Sequence, residues 1–163
     1  MLKGLFFDFD GLILDTETPE LVAWEAEFAK YGQTLPTGYW ASTIGKGADD
    51  VEEWPIDILA RLVPGLPSPE RVEAEVRERR MAGILANPVL PGARELMAEA
   101  RARGMRVAVV SSSMHPWVDG HLARLGLDGF VEFTVCRGDT PRAKPWPDLY
   151  LRAIELSGLA PDE

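Results

Sequence analysis

Cysteine is nearly absent from this chain: Cys136 stands alone among 163 residues. One thiol excludes an intrachain disulfide and fits a reducing cytoplasm, and its place in an apolar run reads as a small buried strand residue. No uninterrupted apolar stretch approaches the roughly 18 residues needed to span a bilayer. The start of the chain offers one Lys3 and then meets Asp8, so it lacks the basic opening and unbroken apolar core of a signal peptide. Basic residues are few as well. With 17 Lys and Arg against 26 Asp and Glu, the net charge of −9 disfavours nucleic acid and anionic membrane as partners, and a bound phosphate needs a local cluster of donors. There is no internal repeat, no low-complexity segment and no evident obligate protein partner.

What is present is a globular composition, 46% apolar, long enough to bury a core as one domain with a sizeable insertion. The most informative segment is Leu5-Phe6-Phe7 followed by Asp8-Phe9-Asp10-Gly11. An apolar strand stops there at two carboxylates two residues apart. Side chains at that spacing point the same way from an extended segment, so both acids project into the crevice at the carboxyl end of a first strand, where open α/β sheets bind ligands. Two clustered acids repel each other unless a cation neutralises them or one stays protonated while the other acts as base or nucleophile.

The rest of the chain alternates in type. A helix is predicted from a Thr18 cap through Pro19 to Gly32, with Leu21, Val22, Trp24, Glu25 and Phe28 along its inner stripe. From Gln33 to Pro67 the text is irregular, with one short helix from Trp54-Pro55 to Leu62. Ser68-Pro69 opens a helix to about Ile84 whose many Glu and Arg form a solvated face with pairs three and four apart. A helix over Ala93–Arg103 precedes a continuous apolar strand at Met105–Val110. A helix at Pro116–Leu125, a strand at Phe133–Cys136 and a helix at Asp148–Ser157 follow. This is the grammar of an α/β fold with a parallel, Rossmann-like sheet. Residues 16–88 interrupt it as an all-helical insertion, leaving 1–15 with 89–163 as the α/β core, and hinges near Gly11–Thr16 and Ala86–Pro91 make the insertion a lid.

Strand two ends in Ser111-Ser112-Ser113 before a helix, where hydroxyls and backbone N–H groups suit a phosphate or ordinary helix capping. Beyond strand three comes Lys144-Pro145, with the proline holding the lysine out of helical conformations. A parallel sheet gathers these tips, so two acids, a hydroxyl and an ammonium surround one point, a set that suits phosphoryl transfer.

DFDGLILDTE from Asp8, the strand-end Ser111 and KPWPD from Lys144 resemble three of the four signature motifs of the haloacid dehalogenase-like hydrolases. The helical insertion is similar to that family's cap in its β-phosphoglucomutase and phosphoglycolate phosphatase branch. The resemblance implies that Asp8 forms an aspartyl phosphate, that Asp10 protonates the leaving oxygen and later activates water, and that Ser111, the Ser112 amide and Lys144 grip the phosphoryl oxygens. It implies Mg²⁺ on the Asp8 carboxylate and the Asp10 carbonyl. Gly11, Glu20 and Lys46 are expected on the substrate side, with Lys46 reaching from the cap. Trp40 and Trp54 are expected to fill the cap's own core, and neither His115 nor His121 is given a catalytic part.

Two departures shape the expectation. The family's fourth motif, an acidic pair after a further strand, does not precede Glu163, and Asp162 and Glu163 follow no apolar run, so the chain is expected to be a fragment that binds Mg²⁺ weakly. Mutases of the branch usually carry histidine where Glu20 stands, and they carry a cap arginine that Gly45-Lys46-Gly47-Ala48 lacks. The expected activity is hydrolysis of a small phosphorylated metabolite, with phosphosugar mutase, dehalogenase and phosphate-binding receiver as alternatives.

Overall fold

The computed structural model describes residues 2–43 and 51–162. Along the chain the elements are β1 (Gly4–Phe7), α1 (Glu17–Lys30), α2 (Thr37–Thr43), α3 (Pro55–Leu62), α4 (Pro69–Ala86), α5 (Ala93–Ala102), β2 (Arg106–Val110), α6 (His115–Leu125), β3 (Phe133–Val135) and α7 (Asp148–Ser157). A short 3-10 turn at Asp128–Phe130 precedes β3. Contacts divide the chain into two compact units, Met1–Leu14 with Pro88–Glu163, and Asp15–Asn87.

The first unit is built on a parallel sheet in the order β1-β2-β3. Its central strand carries Val107, Ala108, Val109 and Val110, all fully buried, which is why this segment is apolar without alternation. Each such valine contributes about 1.5–3 kcal/mol of burial. Val110 and Val135 pack against Leu149 and Ala153 of α7. The register pairs Phe7 with Val109 and Val110 with Val135, so Asp8, Ser111 and Cys136 all leave the sheet at the same end.

The second unit is entirely helical among its described residues. Trp24 and Phe28 of α1, Ile56, Ile58 and Leu59 of α3, and Val72 and Val76 of α4 form its core, with Trp40 packed against it. Trp54, expected in that core, is exposed. The cap of α1 is also shifted from Thr18: Thr16 holds the N-cap position and the Asp15 carboxylate accepts from Thr18 N–H at 2.9 Å. Thr18 and Pro19 therefore sit inside the first turn, where proline's missing N–H leaves nothing unpaired. α2 was not foreseen, because Thr37–Thr43 buries no residue and so carries no apolar stripe.

The charged face of α4 is not simply solvated. Arg79 reaches α1, donating from Nη2 to Glu27 Oε2 at 2.9 Å and from Nη1 to the Ala23 carbonyl. Glu27 is fully buried, and Lys30 Nζ lies 2.7 Å from the same oxygen. A buried carboxylate needs such partners to stay charged. The two passages between the units run side by side: Leu14 bridges Val89 in the first unit, and Asn87 Nδ2 donates to the Asp15 carbonyl at 2.8 Å in the second. Among the described residues no helix is long and apolar enough to cross a membrane.

Candidate active site

The acids Asp8 and Asp10 follow β1 directly, and the chain then turns sharply at Gly11. That residue has φ 73°, a conformation costly for any residue with a Cβ. Its N–H donates to the Leu14 carbonyl at 2.8 Å. The backbone donor of Gly11 is thus committed within the chain, and its positive φ turns the chain after the two acids. Phe9, between the acids, points the opposite way and is fully buried, as alternation along an extended segment requires.

Lys144 reaches back over the sheet from the loop before α7. Its Nζ lies 2.5 Å from Asp8 Oδ1 and donates to the Val110 carbonyl at 3.2 Å, and its peptide bond to Pro145 is cis. Asp8 Oδ1 also accepts from Phe9 N–H at 2.7 Å. The Asp8 side chain is 41% exposed while that of Lys144 is 18% exposed, so a shielded cation backs an accessible carboxylate. That is the arrangement a nucleophile facing an anionic substrate needs.

Asp10 is held differently. Oδ2 accepts from Ser113 Oγ at 2.7 Å and from Ser111 Oγ at 3.3 Å, and Oδ1 accepts from Trp117 Nε1 at 2.9 Å. Ser111 is buried and its Oγ also accepts from Ser113 N–H at 3.0 Å. The Ser112 hydroxyl is buried without a partner. The serine run does not cap α6, whose N-cap is Met114; two of its hydroxyls converge on Asp10 instead. Asp8, Asp10, Ser111 and Lys144 are therefore brought together with Ser112 adjacent. Glu20 stands in the helical unit, where Arg80 Nη1 takes its carboxylate at 3.3 Å, and Lys46 lies outside the described residues.

Trp117 and Tyr150 were missed from the sequence, and Ser113, named there only as part of the serine run, has Asp10 as an unforeseen partner. Ser113 and Trp117 reach Asp10 across more than a hundred positions of chain, a pairing that no local spacing encodes. Tyr150, in the first turn of α7, feels Asp8: burial first, and then that negative charge, push its phenol above the ordinary range. Its place six residues after Lys144 was the available signal. Nearby, burial pushes the Cys136 thiol up to about 12. Burial, and then the Arg124 charge, hold His121 below its usual value.

Asp8 offers a half-exposed carboxylate to a cation, and the Asp10 backbone carbonyl is the second oxygen that the family resemblance implies. All-oxygen donors of this kind fit a hard cation such as Mg²⁺, which binds through one or two carboxylates and keeps several waters. Among the described residues no three His, Cys, Asp or Glu cluster to hold a metal by themselves.

Comparison with known proteins places this geometry in a family. YhcW of Bacillus subtilis (strain 168) is 34% identical over 163 residues, which span all of this chain and 73% of that protein. Hexitol phosphatase A of Escherichia coli (strain K12) is 30% identical over 167 residues, covering 99% of this chain and 71% of the relative. A crystal structure from Thermotoga maritima shares the fold with a TM-score of 0.79 at 21% identity, covering 99% of this chain and 74% of its own. Residues 2–163 match a single family throughout, and with that match the chain belongs to the haloacid dehalogenase-like hydrolases.

Proposed function

We propose that this chain hydrolyses the phosphate monoester of a small phosphorylated metabolite, a sugar phosphate or a phosphoglycolate-like acid, with Asp8 as nucleophile. The observation that carries the reading is the Asp8–Lys144 pair at 2.5 Å beside an Asp10 carboxylate bound by hydroxyl and indole donors. One acid is presented with a counter-cation and the other is oriented next to it, which matches separate roles for nucleophile and acid–base. The similarity to a relative named as a hexitol phosphatase supports a phosphorylated polyol or sugar as substrate.

The Asp8 carboxylate attacks phosphorus, the ester P–O bond breaks, and Asp10 gives its proton to the leaving alkoxide. Asp10, now ionised, takes a proton from water as that water attacks the aspartyl phosphate, and inorganic phosphate leaves. Ser111 Oγ, the Ser112 N–H and the Lys144 ammonium stabilise the charge on the equatorial oxygens. Mg²⁺, held by the Asp8 carboxylate and the Asp10 carbonyl, would supply further neutralisation of that charge. We assign the choice of substrate to the helical unit. Hydrolysis is preferred to mutase chemistry because Glu20, where mutases carry histidine, is already paired with Arg80.

The test is phosphate release with Mg²⁺ from a panel of small sugar phosphates, polyol phosphates and phosphoglycolate, set against D8N. Turnover is expected from the parent chain, with a loss of at least about 10³-fold in D8N. D8N turnover equal to the parent's, or conversion to an isomeric sugar phosphate without phosphate release, would overturn the reading.

A further inference from the structure

A carboxylate on a single χ1 rotor samples several staggered wells unless something selects one, and Asp10 has such a selector on the far side of the sheet end. Trp117 is half-buried on α6 with its indole N–H donating to Asp10 Oδ1 at 2.9 Å. The indole nitrogen is a donor only, so it accepts no proton and serves no alternative direction. The serine hydroxyls on Oδ2 can both donate and accept, as Ser111 Oγ does toward Asp10 and Ser113 N–H; Trp117 can only donate.

The ring is itself held. His121, one turn on, meets it edge-on at 4.4 Å between centroids, and Arg124 Nε donates to His121 Nδ1 at 3.2 Å. On its other side His121 lies 6.1 Å from the Phe9 ring, between the two acids. Trp117, His121 and Arg124 fall four and three residues apart on α6, one face of a helix. A packing role alone would be met by phenylalanine. The aimed N–H is what phenylalanine lacks.

We infer that Trp117 is a positioning residue that holds the Asp10 carboxylate in the orientation from which it serves the leaving oxygen, buttressed by His121. The inference rests on the role given to Asp10 above. It names a specific helix residue, and a donor atom, as a determinant of how fast bound substrate reacts rather than of how tightly it binds.

W117F keeps an aromatic side chain on that face of α6 and removes the donor, together with part of the indole's volume. With the best ester of the panel, kcat is expected to fall about tenfold while KM stays within about twofold. Unchanged kcat in W117F overturns the inference, as does a loss confined to KM. A second arm needs no turnover. In a ¹⁵N–¹H spectrum the Trp117 indole resonance, assigned through the backbone, is expected downfield of the other four tryptophans and to move toward them in D10A. An indole signal indifferent to D10A overturns the inference. If the parent chain releases no phosphate from any ester, it is the hydrolytic reading that fails, and the resonance alone then decides the positioning role.

Discussion

His115 shows how a side chain without a chemical step still governs behaviour. Its Nε2 lies 2.9 Å from Asp139 Oδ2 and its Nδ1 lies 3.1 Å from Asp119 Oδ2, with Thr134 Oγ1 also at Nδ1. One ring thus ties the start of α6 to the loop after β3. Burial works against the imidazolium, but Asp139 and then Asp119 outweigh it and raise the pKa above 6.5. A raised value means that the folded state holds its proton more tightly than the unfolded chain. The stabilisation is therefore complete below about pH 6.5 and is lost as pH rises through the folded value. H115Q should lose less melting temperature than the parent between about pH 6 and pH 8. The opposite trend of His121, whose pKa is lowered, is common to both proteins and cancels. Identical pH profiles would show that the two aspartates do not hold the proton.

At this same scale the placement of four residues was legible from the elements beside them: Asp8 and Asp10 after β1, Ser111 after β2, and Lys144 in the loop before α7. Ser113 and Trp117 were not, since their meaning arises only when α6 is laid beside β1. Gly11 was named for the substrate side, and that its N–H donates to the Leu14 carbonyl is something no local pattern shows.

Between elements, α4 comes close to α1 at Gly83. Gly83 lies in the last turn of α4, inside the helix, where glycine costs up to about 1 kcal/mol relative to alanine. A Cβ built there would come 2.9 Å from Pro19 Cβ, and a proline ring near a helix start has little room to yield. Overpacking of this kind costs about 1–3 kcal/mol, which exceeds the propensity gained. G83A should therefore cost about 1 kcal/mol net, read as a lower urea midpoint, and in a P19G background, which lacks the clashing Pro19 Cβ, the same substitution should no longer lower it. A higher midpoint in G83A would mean that the helices separate freely.

The helices with caps and apolar stripes were read within a few residues of their ends, as for α3 and α7. α2 escaped because only the adjacent Tyr39 and Trp40 are partly buried on it, too few to form a helical stripe. The charged pattern of α4 concealed its partnership with Glu27, because a lone acid on the inner stripe of α1 looks like any other polar position until its neighbour is known. The shift of the α1 cap from Thr18 to Thr16 has a similar origin. Several adjacent side chains are competent, and the chain uses Asp15.

For the molecule as a whole, the alternation of strand and helix was sufficient to show a parallel sheet, because buried strands and amphipathic helices differ in composition as well as period. The interruption was legible too, since removing it leaves that alternation whole. Two separate cores form as a result, and the strand-tip residues belong entirely to the unit that holds the sheet. The net charge of −9 disfavours polyanionic partners but says nothing of which small molecule is bound.

The lone thiol gives this protein an intrinsic gauge of its own integrity. Cys136 is fully buried at the end of β3 and its pKa stands near 12, so the reactive thiolate scarcely exists while the sheet is closed. Alkylation by a maleimide near neutral pH should proceed only through openings of the sheet and should accelerate with urea in step with unfolding. Immediate labelling in native buffer would mean that the third strand parts from its neighbour far more often than its burial implies.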